Sequence, residues 1–293
     1  MALNVEAADR VKAIVLADDY TGYGSPLWAQ HGFSLLLEVE AEKDRKLILF
    51  DAASHHEPLL FNMSQLGISP STISLIVLSH HHYDHTGGLL GLLQKMGGKE
   101  VSLTAHPEIF KQSFKLEPKL RFIGPKSERL REEAEALGGC WKLSRNPVKL
   151  FPGVVFTGEI ERVTSFERET TLKAYTVKNG KIVRDRLEDD VSLAVNTRQG
   201  LLVFSACSHA GIINIVRKAK ALTGAEKVKA VLGGFHLVDA STQRIKQTIK
   251  ALKELNVENV YAGHCTGLKA ECMLLSEFGE NFRKLHCGFT VEF

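Results

Sequence analysis

Cysteine is scarce and unpatterned in this chain. There are five in 293 residues (Cys140, Cys207, Cys265, Cys272 and Cys287), an odd count with no CxxC spacing. That excludes a disulfide framework and fits a reducing compartment. Long apolar runs are absent too. None approaches the ~18 residues that would suggest a membrane span. The first residues, Met1-Ala2-Leu3-Asn4-Val5-Glu6, lack the basic-then-apolar order of a signal peptide, so a cytoplasmic location is expected. Charge of one sign is also missing. The formal net charge is +3 and the basic residues are scattered, which argues against a nucleic-acid partner. What remains is the composition of a soluble enzyme, 44% hydrophobic and 24% charged.

One segment stands apart from that background. His80-His81-His82-Tyr83-Asp84-His85 packs four imidazoles and a carboxylate into six residues, followed by Thr86-Gly87-Gly88. Before it, Ser74-Leu75-Ile76-Val77-Leu78-Ser79 reads as a short buried strand. After it, Leu89-Leu90-Gly91-Leu92-Leu93 reads as a helix start. The cluster therefore sits on the loop leaving the carboxyl end of a strand, where α/β sheets usually build their sites. Imidazole and carboxylate are ligands for zinc, iron and manganese. His80 and His82 point the same way in an extended segment and can grip one ion. Asp84 and His85 can reach a second. Two ions about 3.5–4 Å apart can share a hydroxide. His81 is interleaved and is expected to point away.

These residues resemble the metallo-β-lactamase superfamily, whose pattern is His-x-His-x-Asp-His after a strand. Ile48-Leu49-Phe50-Asp51 resembles its early strand ending in a supporting aspartate, and Tyr261-Ala262-Gly263-His264 its late metal-binding histidine. Further phrases are similar to a subfamily labelled 7,8-dihydropterin-6-methyl-4-(β-ribofuranosyl)aminobenzene-5′-phosphate synthase: Gln30-His31-Gly32-Phe33-Ser34, Thr157-Gly158-Glu159-Ile160, Cys207-Ser208-His209-Ala210-Gly211, Gly233-Gly234-Phe235-His236-Leu237 and His264-Cys265-Thr266-Gly267. The resemblance implies an α+β fold, an αββα sandwich of two facing mixed sheets with outer helices. It implies two divalent metal ions, zinc first, with manganese or iron as alternatives. It also implies ligands His80, His82, Asp84, His85 and His264, with Asp51 orienting the loop.

The pattern departs from the superfamily in one region. No histidine lies between His106 and His209, and Cys207 stands where the resemblance places a bridging aspartate. Either His209 supplies the missing imidazole, with Cys207 a thiolate ligand or a bystander, or Asp189 or Asp190 fills the mid-chain position.

Strands are expected at Val11–Leu16, Ser34–Glu40, Lys46–Phe50, Val101–Ala105, Val154–Phe156, Leu172–Val177, Ser192–Asn196, Leu201–Phe204, Lys229–Leu232 and Val257–Ala262. Helices are expected at Pro58–Leu66, Gly88–Met96, Lys126–Leu137, Ile212–Leu222, Ser241–Leu255 and Leu268–Phe278. The two halves repeat a theme of strands followed by helices, which favours one domain over residues 1–293. Residues 108–150, rich in lysine and arginine, form a connector or a lid whose Arg121 or Lys126 holds an anionic substrate. His236 and His31 are candidate substrate contacts. Thr266 is a candidate N-cap for a phosphate-binding helix start. Asp84 is also the expected catalytic carboxylate.

A metal pair lowers the pKa of bound water from about 16 to about 7. The expected activity is hydrolysis of an ester, phosphoester or related bond in a small molecule, phosphorylated or pterin-like. The alternatives are a transferase condensing a dihydropterin diphosphate with an aminobenzene ribotide, and a non-catalytic metal-containing sensor.

Overall fold

The computed structural model describes Leu3 and residues 5–293. The apolar strands predicted from the sequence pair into two seven-stranded sheets. In the first, Thr290–Glu292, Arg10–Ala17, Ser34–Ala41 and Asp44–Phe50 run antiparallel. Leu75–Val77, Val101–Ala105 and Gly139–Leu143 follow in parallel. The second repeats the plan. Val148–Phe151, Val154–Phe156, Leu193–Thr197 and Gly200–Ser205 are antiparallel, then Val228–Gly234, Val257–Gly263 and Phe282–Lys284 add in parallel.

Alternation within the strands explains the layers. Leu35, Leu37, Ile48 and Phe50 face Phe156, Leu193, Leu202 and Phe204 across the space between the sheets. Residues of opposite parity face outward. Leu36, Leu49 and Ile76 pack with Leu59, Met63, Leu89 and Leu93 from the helices His56–Gln65 and Leu89–Lys95. Val203, Val231 and Val260 pack with Ile213, Val216, Ile245, Ile249 and Leu252 from Ile212–Thr223 and Thr242–Glu254. Helices thus cover both outer faces, the αββα order expected from the resemblance. A fully buried phenylalanine such as Phe156 or Phe204 contributes about 1.5–3 kcal/mol of burial.

Two expectations shift on the structure. The helix expected over Lys126–Leu137 spans Leu130–Ala136, because the Arg129 amide donates to Ser127 Oγ and holds a turn there. The strand expected from Leu172 begins at Tyr175, since the Leu172 amide donates to Thr170 Oγ1. Residues 108–150 are not a mere connector. Gly139–Leu143 forms one edge of the first sheet and Val148–Phe151 one edge of the second. Only the earlier part stands apart. Ser113–Lys115 and Arg121–Phe122 join Tyr175–Lys178 and Lys181–Arg184 in a four-stranded sheet. Among the described residues no helix is long and apolar enough to cross a membrane.

The parallel halves of both main sheets release their loops at one end of the sandwich. Asp51, the His80–His85 loop, Cys207, His236 and His264 all follow the carboxyl ends of such strands. Asp51, Ser208, His236 and His264 hold positive φ values of 65, 62, 46 and 48°. Non-glycine residues in this region cost of order 1–3 kcal/mol each and cluster where function overrides local preference.

Candidate metal centre

The loop after Leu75–Val77 is anchored from beneath by Asp51. Its Oδ1 accepts the Ser79 amide at 2.7 Å, and its Oδ2 accepts Ser79 Oγ and His85 Nδ1, both at 2.6 Å. With its own proton directed to Asp51, Ser79 Oγ accepts from His80 Nδ1 at 2.9 Å. That turns His80 Nε2 and His85 Nε2 inward, where His80 Nε2 lies 3.0 Å from His82 Nδ1. Metal-binding histidines nearly always give their second nitrogen to such a partner. His264 repeats the arrangement. Its Nδ1 donates to Asp19 Oδ2 at 2.7 Å, and its amide donates to Asp18 Oδ2 at 3.0 Å.

The inward atoms converge. His80, Cys207 and His209 bring ligand atoms within 4.8 Å of one another, as do His85, Cys207 and His264. Asp84 Oδ2 lies 3.5 Å from His85 Nε2 and 3.6 Å from His264 Nε2. His82 adds its ring against His80 and His209, with centroids 4.6 and 5.0 Å away. His82 Nε2, His85 Nε2 and both ring nitrogens of His209 are buried without hydrogen-bond partners. Orphaned buried polar atoms are rare in a folded protein. His85 Nε2 and one nitrogen of His209, set among the converging atoms of His80, His264 and Cys207 with His82 Nε2 unpartnered nearby, fit the donor set of divalent metals. Cys207 lies between the two imidazole groups.

The electrostatics agree. Burial holds the His80, His82 and His209 rings well below the ordinary imidazole value, helped by neighbouring rings. That direction favours the neutral ring, the form that metal coordination requires. Burial alone would raise the Asp84 carboxyl, but His85 and His264 hold it well below the carboxylate range. Around His85 burial is outweighed by Asp84 and Asp51, which raise the ring to about 10. At His264 burial is outweighed by Cys265, Asp19 and Asp84, which raise it to about 9. This corner favours positive charge.

A sign follows for pH. Protons on His85 and His264 compete with a metal ion below pH ~9, so raising the pH strengthens metal binding. Zinc affinity is expected to rise about tenfold per pH unit for each displaced proton between pH 6 and 8. Competition titrations against a chromophoric chelator would measure it, and a flat profile would contradict the assignment. Removing the support tests the same centre. Asp51→Ala is expected to weaken zinc affinity about 10–100-fold, read by the same titration.

Several sequence candidates lie elsewhere. Asp189 accepts from the His81 amide and His81 Nδ1 and pairs with Lys111, so it orients the back of the loop and faces no clustered donor. Asp190 Oδ2 accepts the Ala210 amide and steadies the Cys207–Gly211 turn, while its Oδ1, buried without a partner, lies 4.0 Å from His80 Nδ1 behind the loop. His81 points away from the converging donors, with Nε2 2.6 Å from Ser113 Oγ. Thr266 is not the N-cap. Gly267 holds that position for Leu268–Phe278, and Thr266 Oγ1 accepts the Phe235 amide. Lys126 donates to the Ser54 carbonyl and sits beside His55, away from the cleft.

The cleft above the donors encloses about 410 Å³. Tyr83, His31, His236, Lys115, Arg121 and Leu268 line it. His31 Nδ1 donates to Asp19 Oδ1 at 2.8 Å, and its Nε2 is 3.3 Å from Asp84 Oδ2. Arg121 bonds the Tyr83 hydroxyl and lies over its ring, 5.3 Å from the centroid. Lys115 and Arg121 are direct cross-strand partners. Like charges so opposed repel, and an anion between them would relieve it.

Asp18 and Asp19 escaped the sequence reading, and Lys115 and Cys265 were given no site role there although they lie in the charge-rich segment and the His264 phrase. The first two had a usable signal, an acidic pair just past the apolar strand ending at Ala17. The others are brought in by strand pairing and loop packing alone.

Comparison with known proteins places these observations. The profile of the metallo-beta-lactamase superfamily matches residues 29–264. The chain is 48% identical, over 100% of both sequences, to a Methanocaldococcus jannaschii protein named 7,8-dihydropterin-6-methyl-4-(beta-D-ribofuranosyl)-aminobenzene-5'-phosphate synthase. A crystal structure described as a metal-dependent hydrolase of the beta-lactamase superfamily superposes with a TM-score of 0.81 at 29% identity, covering 96% of this chain and 98% of that one. A zinc-bound PqqB from Methylobacterium extorquens shares the fold at a TM-score of 0.54 and 13% identity, covering 96% and 99%.

Proposed function

Since the chain belongs to the metallo-beta-lactamase superfamily, we propose that it is a metal-dependent enzyme of that superfamily which joins a dihydropterin methyl group to the amine of an aminobenzene ribotide. The observation that carries this is end-to-end identity of 48% to the synthase of that name. It favours the transferase over the hydrolase as the first reading.

The chemistry uses residues of the cleft. Lys115 and Arg121 hold the diphosphate of the dihydropterin substrate, and charge-assisted contacts to phosphate suit both side chains. Two ions held by His80, His82 and His209, and by Asp84, His85 and His264, with Cys207 between, would supply Lewis acidity toward the phosphate oxygens. The methylene carbon–oxygen bond breaks, and the arylamine nitrogen bonds to that carbon. The amine proton passes to His31, whose other nitrogen donates to Asp19. Pyrophosphate leaves past Lys115 and Arg121. Tyr83 keeps the Arg121 guanidinium in place.

A second reading is hydrolysis of a related phosphoester, with water in the acceptor's place. The likeness to the metal-dependent hydrolase structure, at 29% identity over nearly the whole chain, favours it.

The test is a metal-loaded assay with a dihydropterin methyl diphosphate, with and without the ribotide. Transfer predicts pyrophosphate release that requires the acceptor and a product containing both halves. Release without acceptor, and no coupled product, would favour hydrolysis and end the transferase reading. Arg121→Ala and Lys115→Ala are each expected to raise KM for the diphosphate about 10–100-fold, the worth of a charge-assisted hydrogen bond. Unchanged KM in both would remove the basic pair from the substrate site.

A further inference from the structure

Cys265 follows His264. Its thiol lies 3.4 Å from Cys207 Sγ. His236 Nδ1 lies 3.9 Å from the same Cys207 sulfur. Cys207, His236 and Cys265 bring one ligand atom each within 4.8 Å of one another. We propose that Cys207, His236 and Cys265 form a sulfur-rich metal station beside the imidazole pair, which takes a thiophilic divalent ion such as zinc.

The spacing supports coordination. Zinc bound tetrahedrally at about 2.3 Å from sulfur and about 2.0–2.1 Å from nitrogen sets neighbouring donors roughly 3.4–3.8 Å apart. The 3.4 Å between the sulfurs and the 3.9 Å between sulfur and nitrogen each lie within about 0.4 Å of the roughly 3.8 and 3.6 Å that shell sets for those two pairs. A disulfide needs about 2.05 Å, and both cysteines are free.

The backbone is shaped for the same purpose. The three residues come from loops after three adjacent parallel strands, Gly200–Ser205, Val228–Gly234 and Val257–Gly263. A side chain at Gly234 would meet the Ala206 carbonyl oxygen at 2.4 Å, Cys265 Sγ at 2.7 Å and His264 Cδ2 at 3.2 Å, so glycine there leaves room for the neighbouring backbone and for the thiol. The His209 ring stands 4.3 Å from that of His236, centroid to centroid, and both His209 nitrogens are buried without partners. That ring stands between the station and the His80 ring, with one lone pair to give to either.

The consequence is chemical selectivity. Thiolates favour zinc and other soft ions over manganese or magnesium. Cys207 also belongs to both imidazole groups, so its sulfur links the station to the pair. The inference shares Cys207 with the proposed function and otherwise stands on Cys265 and His236.

Cobalt(II) substitution tests it. Cobalt bound to thiolate gives a near-ultraviolet charge-transfer band whose intensity follows the number of sulfur ligands. Metal-free full-length protein reloaded with cobalt(II) should show the band. Cys265→Ser should lower it to about half, as expected for loss of one of two sulfurs, and Cys207→Ser with Cys265→Ser should abolish it. His85→Ala should retain it. Circular dichroism would confirm that each variant folds, and Cys265→Ala serves if the serine variant does not. Full intensity in Cys265→Ser would overturn the station while leaving the metal pair. So would cobalt binding with no band. A count of three free thiols instead of five in the metal-free protein would also overturn it, by showing the pair oxidised. Absence of any bound cobalt would overturn both the station and the metal centre of the proposed function.

Discussion

His85→Ala is expected to lose most of its activity and at least one bound metal ion. His85 carries its Nδ1 on Asp51 and presents a buried, unpartnered Nε2 to the site. No other imidazole can replace it there, because His264 is fixed by Asp19 and His80 is fixed through Ser79. The Lewis acidity of a bound ion is worth several kcal/mol. At about 1.4 kcal/mol per factor of ten, the expected loss in kcat/KM is on the order of a thousandfold. Metal content by plasma emission spectrometry should fall in parallel. A variant that kept both metals and its turnover would remove His85 from the centre. Cutting the ring also leaves Asp51 with one partner fewer in a buried place, so the thermal midpoint should be recorded alongside.

The second large effect is on stability. Gly233 sits at the end of Val228–Gly234 with φ 135°. A side chain there would meet the Ser205 carbonyl oxygen at 1.6 Å. That oxygen belongs to the neighbouring parallel strand, which cannot retreat without breaking the pairing of Ser205 with Gly233. Gly233→Ala therefore combines a disallowed backbone angle, about 1–2 kcal/mol, with overpacking of about 1–3 kcal/mol. In a chain of 293 residues a total of about 2–5 kcal/mol lowers the melting temperature by roughly 3–8 °C. Calorimetry or a dye-based melt reads it. Metal affinity should fall as well, since the two strands carry Cys207 and His236. A melting temperature within a degree of the parent's would show that the strand ends yield freely.

Local pattern carried the fold a long way. The strands Val101–Ala105 and Val154–Phe156 and the helix Leu268–Phe278 were legible to the residue, because each is a short apolar or amphipathic run between clear breaks. The spacing of His80, His82, Asp84 and His85 made a candidate metal loop legible for a similar reason. Ligands that lie close in sequence follow the geometry of one short segment. Asp189 shows the limit. As an acidic residue before a strand it looked equally able to bind metal or to turn toward its own neighbourhood. Only the approach of His81 and Lys111, 108 and 78 residues away along the chain, decided its partners.

The sequence alone determined the alternation that buries one face of each strand, the helices that cover the sheets, and the cluster of imidazoles on one loop. Tertiary structure decided which distant groups meet that loop. It put Asp19 behind His264 across 245 residues, Lys115 opposite Arg121 on the small sheet, and Cys265 beside Cys207. Periodicity is a property of neighbours along the chain. A metal centre is set by strand order and by the burial that makes unpaired nitrogens costly, and both exist only after folding.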